Sequence, residues 1–242
     1  MTQFVLAYGD DRIPYKVAYD DTLTSRVAIH VNPDGSVSVD APEGFDDSSI
    51  KSAVQKRAKW VVNHVSQARQ RYADVRPKKY VSGEQVLYLG RRYMLKVIPV
   101  AGKPAMTRLI GNRLEVQTAV GTPHDIRGRV RAWYRVKGRD YLARRIDSLS
   151  QSLPWVTAPP SFRLLEMSSQ WGSCSPTGEV ILNPHLIKAP RACIDYVLIH
   201  ELAHLKHHDH GSQFWKLIDA HAGDWRKAKH HLDGLVELLL TE

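Results

Sequence analysis

The chain has 242 residues, of which 43% are hydrophobic and 24% charged, and a formal net charge of +9. That composition excludes a disordered tail and a small disulfide-stapled scaffold, and it leaves room for one sizeable core or two small ones. The cation surplus, with a pI near 9.6, favours contact with polyanions without naming one.

The N-terminus carries a five-residue apolar run, Phe4 to Tyr8, with no basic lead, which is too short for a signal sequence. No stretch approaches the roughly 18 apolar residues of a membrane helix. Cys174 and Cys193 are the only cysteines and could form at most one disulfide, so a reducing compartment is the default. These features together predict a soluble cytoplasmic protein.

From Phe4 to about Asp40 the pattern is short β-type runs, among them Val27 to Val31 and Val37 to Val39, separated by the turn signal Asn32-Pro33-Asp34-Gly35. Antiparallel strands and hairpins are expected there. Asp47 or Ser48 could cap a single helix running to about Tyr72, with Ile50, Val54, Ala58, Val61 and Val65 as its apolar stripe and Arg76-Pro77-Lys78-Lys79 ending it. Tyr93 to Ile98 and Arg113 to Gln117 read as further strands, the second entered through Ile110-Gly111-Asn112. Thr122-Pro123 is a good cap and first-turn pair for a helix reaching about Leu153. The domain boundary is set at this change of character, giving a β-rich N-terminal domain with one long helix over 1–120 and a second domain over 121–242. After the Pro154 to Pro160 loop, Phe162 to Ser168 and Glu179 to Leu182 read as strands flanking the turn Pro176-Thr177-Gly178, and Pro190 starts a helix. The fold class is α+β.

Basic residues concentrate at Arg127, Arg129, Arg131, Arg135, Lys137, Arg139, Arg144 and Arg145, interleaved with Trp133, Tyr134 and Tyr141. A solvated helix face is the plain reading. A nucleic-acid contact through this basic helix over 127–145 is the sharper one.

The feature that carries chemistry is His200-Glu201-Leu202-Ala203-His204, an H-E-x-x-H pattern inside an apolar helix. Composition alone predicts about 0.02 occurrences of it. Spacing of i and i+4 puts both imidazoles on one helical face, roughly 6 Å apart at their roots, where both can reach one ion at about 2.0 to 2.1 Å. Glu201 sits where it can reach water at that ion. Ile194, Val197, Leu198, Leu202 and Leu205 recur on another face, as in a buried helix with its polar edge on a cleft. Two buried imidazoles without a metal would instead need other hydrogen-bond partners.

A catalytic zinc usually takes three protein ligands and leaves one position open. His208 would stand about 12 Å along a continuing helix from His200, and His207 nearly as far. Gly211 can break the helix and Ser212 can cap a second one, so the chain reverses near Asp209-His210. His210 is the favoured third ligand. Asp209 is the runner-up, either as a ligand or as an acceptor that orients a histidine.

The run Trp171-Gly172-Ser173-Cys174-Ser175, then Leu182 to Ile187, Ala189-Pro190, Ile194 to Leu205, His210 and Phe214-Trp215 resembles the YgjP-like family of bacterial metallopeptidase-fold proteins, related to SprT-type proteases. The resemblance is specific over the C-terminal third and loose before it. It implies a C-terminal zincin-like domain, with a small sheet packed on the HExxH helix, His200, His204 and His210 as metal ligands, and Glu201 as the catalytic carboxylate. Many relatives carry a basic residue where this chain has Gln170. Cys174 could be a ligand or a nucleophile, but without a second cysteine at ligand spacing a structural role is favoured, at a strand end and turn on the cleft wall. Gly172 allows close backbone approach.

The expected function is a zinc-dependent metallopeptidase, probing protein or peptide substrates, in which metal-activated water attacks a peptide carbonyl and Glu201 acts as general base. Two rivals are a metal-dependent nucleoside triphosphate pyrophosphohydrolase, for which no phosphate-binding glycine loop is present, and a nucleic-acid-associated binding module or protease.

Overall fold

The computed structural model describes every residue except 1, 21, 22, 24, 33, 34, 75–77, 103, 168, 169, 241 and 242, and it leaves the side chains of 2, 20 and 71–74 undescribed. Pro33, Asp34, Arg76, Pro77 and Ser168, which entered the sequence expectations, therefore lie outside the described residues or have no described structure. The chain divides into two compact units, residues 1–76 and 77–242.

The first unit holds strands β1 (Thr2–Tyr8), β2 (Asp11–Asp20), β3 (Ala28–Val31) and β4 (Val37–Pro42), then helices α1 (Asp47–Lys56) and α2 (Ala58–Asp74). Its sheet runs β1-β2-β4-β3. The outer pairs are antiparallel, as expected, but the central pair β2 and β4 is parallel. The reason lies in burial. Ile13, Tyr15 and Val17 of β2 and Val37, Val39 and Ala41 of β4 are the buried apolar rows, so these two strands adjoin at the centre and the less buried β3 takes the edge. The helix expected as one rod is two, divided at Arg57, whose N–H bonds Val54 in a tightened turn. Its cap is Asp46 rather than Asp47 or Ser48, the carboxylate accepting from the Ser49 N–H at 2.7 Å. The apolar stripe Ile50, Val54, Ala58, Val61 and Val65 continues across the break and is buried with the sheet.

The second unit begins with β5 (Gln85–Tyr88), β6 (Arg91–Pro99), β7 (Met106–Ile110) and β8 (Arg113–Thr118), ordered β5-β6-β8-β7. Helix α3 (Pro123–Ser152) starts where its Thr-Pro signal predicts, with Thr122 Oγ1 accepting from the Asp125 N–H at 3.3 Å. Val86, Leu95, Leu114 and Val116 of the sheet share a core with Ile126, Val130, Trp133 and Leu142 of α3. The boundary expected at 120/121 thus falls inside this unit, because the Thr-Pro pair marks the start of a helix and not a change of core.

The remaining elements surround the H-E-x-x-H segment: β9 (Phe162–Leu164), β10 (Gly172–Cys174), β11 (Val180–Leu182), a 3-10 turn (Pro184–Lys188), α4 (Arg191–Ala203), α5 (Ser212–His221), α6 (Trp225–Asp233) and α7 (Val236–Leu240). Strand β9 is shorter than expected, and the Pro176-Thr177-Gly178 turn joins β11 to β10, not to β9. The small sheet runs β10-β11-β9, with β10 an edge strand. A two-residue turn between β5 and β6, Leu89 (φ 50°) and Gly90 (φ 75°), donates its N–H groups to the carbonyls of Ile187 and Lys188 at 2.9 and 3.1 Å. A Cβ on Gly90 would stand 2.8 Å from the Pro190 Cα, so this turn seats directly against the start of α4.

Candidate metal centre

Helix α4 is apolar on nearly every side, with Ile194, Val197, Leu198, Ile199, Leu202 and Ala203 all buried. Apart from Arg191 and Asp195 toward its start, the charged or ring-nitrogen side chains it carries are those of the motif. His200 and Glu201 follow one another near its last turn, and the helix ends at Ala203 with His204 as C-cap, well before Gly211. The short return over 204–211 carries His210 back, and α5 begins after Gly211, which is the cap residue in place of the expected Ser212. Trp155 Nε1–H donates to the Leu202 carbonyl at 2.8 Å and so satisfies one of the end carbonyls of α4.

His200, His204 and His210 converge, with one nitrogen from each lying within 4.8 Å of the others. The Nε2 atoms of His200 and His210 are 3.0 Å apart. A tetrahedral ion with nitrogen ligands at 2.0 to 2.1 Å would hold them about 3.3 Å from one another, close to what these rings already present. His204 Nδ1 lies 3.0 Å from the His207 carbonyl, a bond in which Nδ1 must donate, which leaves its Nε2 with a lone pair. His200 Nδ1 is buried with no hydrogen-bond partner among the described residues. Burial first, and then the neighbouring imidazoles, push His200 down to about 3. Burial also lowers His204 and His210. All three are therefore neutral lone-pair donors at pH 7, the state a metal ligand requires.

Glu201 is 5% exposed, and burial raises its carboxyl to about 8. It rests on β10, where a Cβ on Gly172 would come within 2.7 Å of both Glu201 Cγ and Oε1. The close approach expected of Gly172 is thus made to the motif carboxylate itself. Cys174, two residues on, is half-buried, and burial and then Glu201 raise its thiol to about 11, so it stays protonated at neutral pH. Asp209 stands outside the converging set and acts on His210 and His204 only as a nearby negative charge. Gln170 is exposed, and its carbonyl accepts from Asn183 Nδ2 at 3.2 Å.

Several contributors escape sequence reasoning. Asn183 is fully buried, donates to the Met167 and Gln170 carbonyls, accepts from the His185 N–H, and its own N–H bonds the Trp171 carbonyl. It pins the segment that leads into β10. The Asn-Pro pair ahead of a helical turn was the available signal. Trp155 offered none, since its partner lies 47 residues away.

The basic stretch is less bare than its sequence suggests. Of its eight cations, Arg129 pairs with Asp125 at 2.9 Å, Arg131 and Arg135 with Glu166, and Arg145 with Asp195 through two nitrogens at 2.6 and 3.0 Å. No helix among the described residues is long and apolar enough to cross a membrane.

A model of the YgjP-like metallopeptidase domain matches residues 25–234, most of the chain, and the class so defined is that of metal-dependent hydrolases. The chain belongs to the YgjP-like family. No curated protein matches it. Among solved structures, the crystal structure of the metallopeptidase zymogen abylysin of Pyrococcus abyssi is 24% identical, over 41% of this chain and 93% of that one, with a TM-score of 0.33.

Proposed function

We propose that the protein is a zinc-dependent metalloendopeptidase of zincin-like architecture, with His200, His204 and His210 as the protein ligands and Glu201 as general base. The observation that carries this reading is the convergence of three imidazole nitrogens within 4.8 Å of one another beside a buried carboxyl. The all-imidazole donor set suits zinc. When bound, zinc supplies Lewis acidity that polarises a peptide carbonyl and eases deprotonation of water.

The chain's own residues do the rest. His207 fixes the tautomer of His204 through its carbonyl, which leaves the lone pair on Nε2 to serve as the ligand atom. Burial alone holds the Glu201 carboxyl near 8, protonated at pH 7, and a cation held beside it would bring it down into the ionised form. In that form Glu201, pressed onto the bare backbone of Gly172, accepts the proton of the attacking water and delivers it to the leaving amine. The water oxygen ends in the new carboxyl group, and the proton ends on the new amine. Neutral Cys174 offers no competing nucleophile.

Elemental mass spectrometry of tag-free protein tests the ligand set. About one zinc per chain is expected in the wild type, with loss in His204→Ala and His210→Ala. Glu201→Gln keeps the metal and loses peptide hydrolysis by roughly 100-fold or more. Full hydrolytic activity in purified Glu201→Gln would overturn the mechanism.

A further inference from the structure

Two of the three histidines stand on or at the end of α4, but His210 stands on no helix. It is exposed in the return between α4 and α5. What surrounds its ring is aromatic. Phe214 meets it edge-on at 4.7 Å between centroids, and Trp215 lies nearly parallel to it at 5.9 Å and 29°. Trp215 in turn stacks on Trp225 of α6 at 5.0 Å and 20°. Trp225 stacks on Tyr196 at 5.9 Å and 12°. Tyr196 belongs to α4, one helical turn before His200, which it meets edge-on at 6.0 Å. A path of rings thus leaves the motif helix at Tyr196, passes through α6 and α5, and returns to His210.

Trp225 is the joint of that path and the best fixed member of it. It is 8% exposed. Its Nε1–H donates to Asp219 Oδ1 at 2.7 Å, and Arg226 donates to the same oxygen at 2.8 Å while its guanidinium lies 4.4 Å over the indole. Stacking, hydrogen bond and cation together fix both the position and the plane of the indole. Trp215 has no such anchor of its own among these contacts.

We propose that Trp225, oriented by Asp219 and Arg226, is a positioning residue that sets the ring of His210 through Trp215. The inference rests on the reading of His210 as a metal ligand. Without the indole, Trp215 loses its stack, His210 loses its backing, and the third nitrogen no longer stays opposite the other two. Residues that orient ligands in this way typically contribute 10- to 100-fold in metal affinity.

The test uses the full, tag-free chain, with zinc affinity measured by competition against a chromogenic chelator and cobalt(II) absorption as the geometric probe. Trp225→Leu is expected to bind zinc about 10- to 100-fold more weakly, with its cobalt spectrum moved toward that of His210→Ala. Trp225→Phe keeps a flat ring and recovers most of the affinity. Asp219→Ala, which removes the acceptor of the part-buried Trp225 bond and of the exposed Arg226 bond but leaves the indole in place, weakens zinc in the same direction by a smaller factor and guards against misfolding of the leucine variant. Melting of the metal-free variants separates a purely structural role, which would lower the melting temperature and leave the affinity alone. Unchanged zinc affinity in Trp225→Leu and Asp219→Ala, beside a weakened His210→Ala, overturns the inference and leaves the metallopeptidase reading standing. A wild type that binds no zinc overturns both.

Discussion

Gly172 shows how one missing side chain can matter. A methyl group there would stand 2.7 Å from the Glu201 carboxylate, so Gly172→Ala must turn that carboxyl or displace β10. Hydrolysis is expected to fall roughly 100-fold, as for misplacement of a reacting group by about 1 Å, with zinc content unchanged. Wild-type turnover in that variant would mean that the seat is not needed. His185 supplies a second expectation. Burial, then Lys188 and the nearby arginines and Lys78, push its imidazole down to about 3, while the unfolded chain protonates near 6.5. Between those values the unfolded state binds the proton and the folded state does not, so stability is lost as pH falls through that window, by up to about 1.4 kcal/mol per pH unit. Urea midpoints across the window should show a shallower acid limb in His185→Gln than in the wild type. Parallel limbs would remove the histidine from that account. At this scale the sequence was informative where partners are local: i and i+4 on a helix name His200 and His204. The Gly172 contact is only half legible, because spacing shows that something comes close but not what.

Elements were legible when their signals were local as well. The Thr122-Pro123 start of α3 and the Gly111-Asn112 turn between β7 and β8 fall where expected. The break at Arg57 and the parallel pairing of β2 with β4 do not, since an unbroken apolar stripe hides the first and a non-local choice of neighbour decides the second. Helix α3 contains Gly128, where an added Cβ would meet nothing within 4 Å. Gly128→Ala is accordingly expected to stabilise the fold by about 0.8 to 1 kcal/mol, read as a higher urea midpoint. At the end of α4, Trp155→Phe removes the donor to the Leu202 carbonyl, which retains the Leu205 N–H at 3.2 Å. The loss should be about 1 kcal/mol. A larger loss would show that the indole does more than cap the motif helix.

Across the whole molecule two separate buried clusters, one in each unit, set the thermodynamics. Calorimetry is expected to resolve two transitions, and zinc should raise only the one belonging to residues 77–242, because a ligand stabilises the unit that binds it. A chelator should reverse that rise. Movement of both transitions together would show that the units melt as one. The net charge of +9 and the basic stretch over 127–145 are visible in the sequence, but the pairing of those cations is not, since Glu166 and Asp195 reach the basic helix from distant positions in the chain.

The contact between Gly172 and Glu201 joins a strand to a helix that is made later, and neither can shape the other until both exist. A growing polypeptide therefore has the motif histidines and their carboxyl in one stretch of chain, yet lacks the surface that aims the carboxyl until β10 and α4 have docked. On the role proposed for Glu201, hydrolytic competence would come only with the docking of β10 and α4, so a half-made chain would be poorly equipped to cut its neighbours on the ribosome.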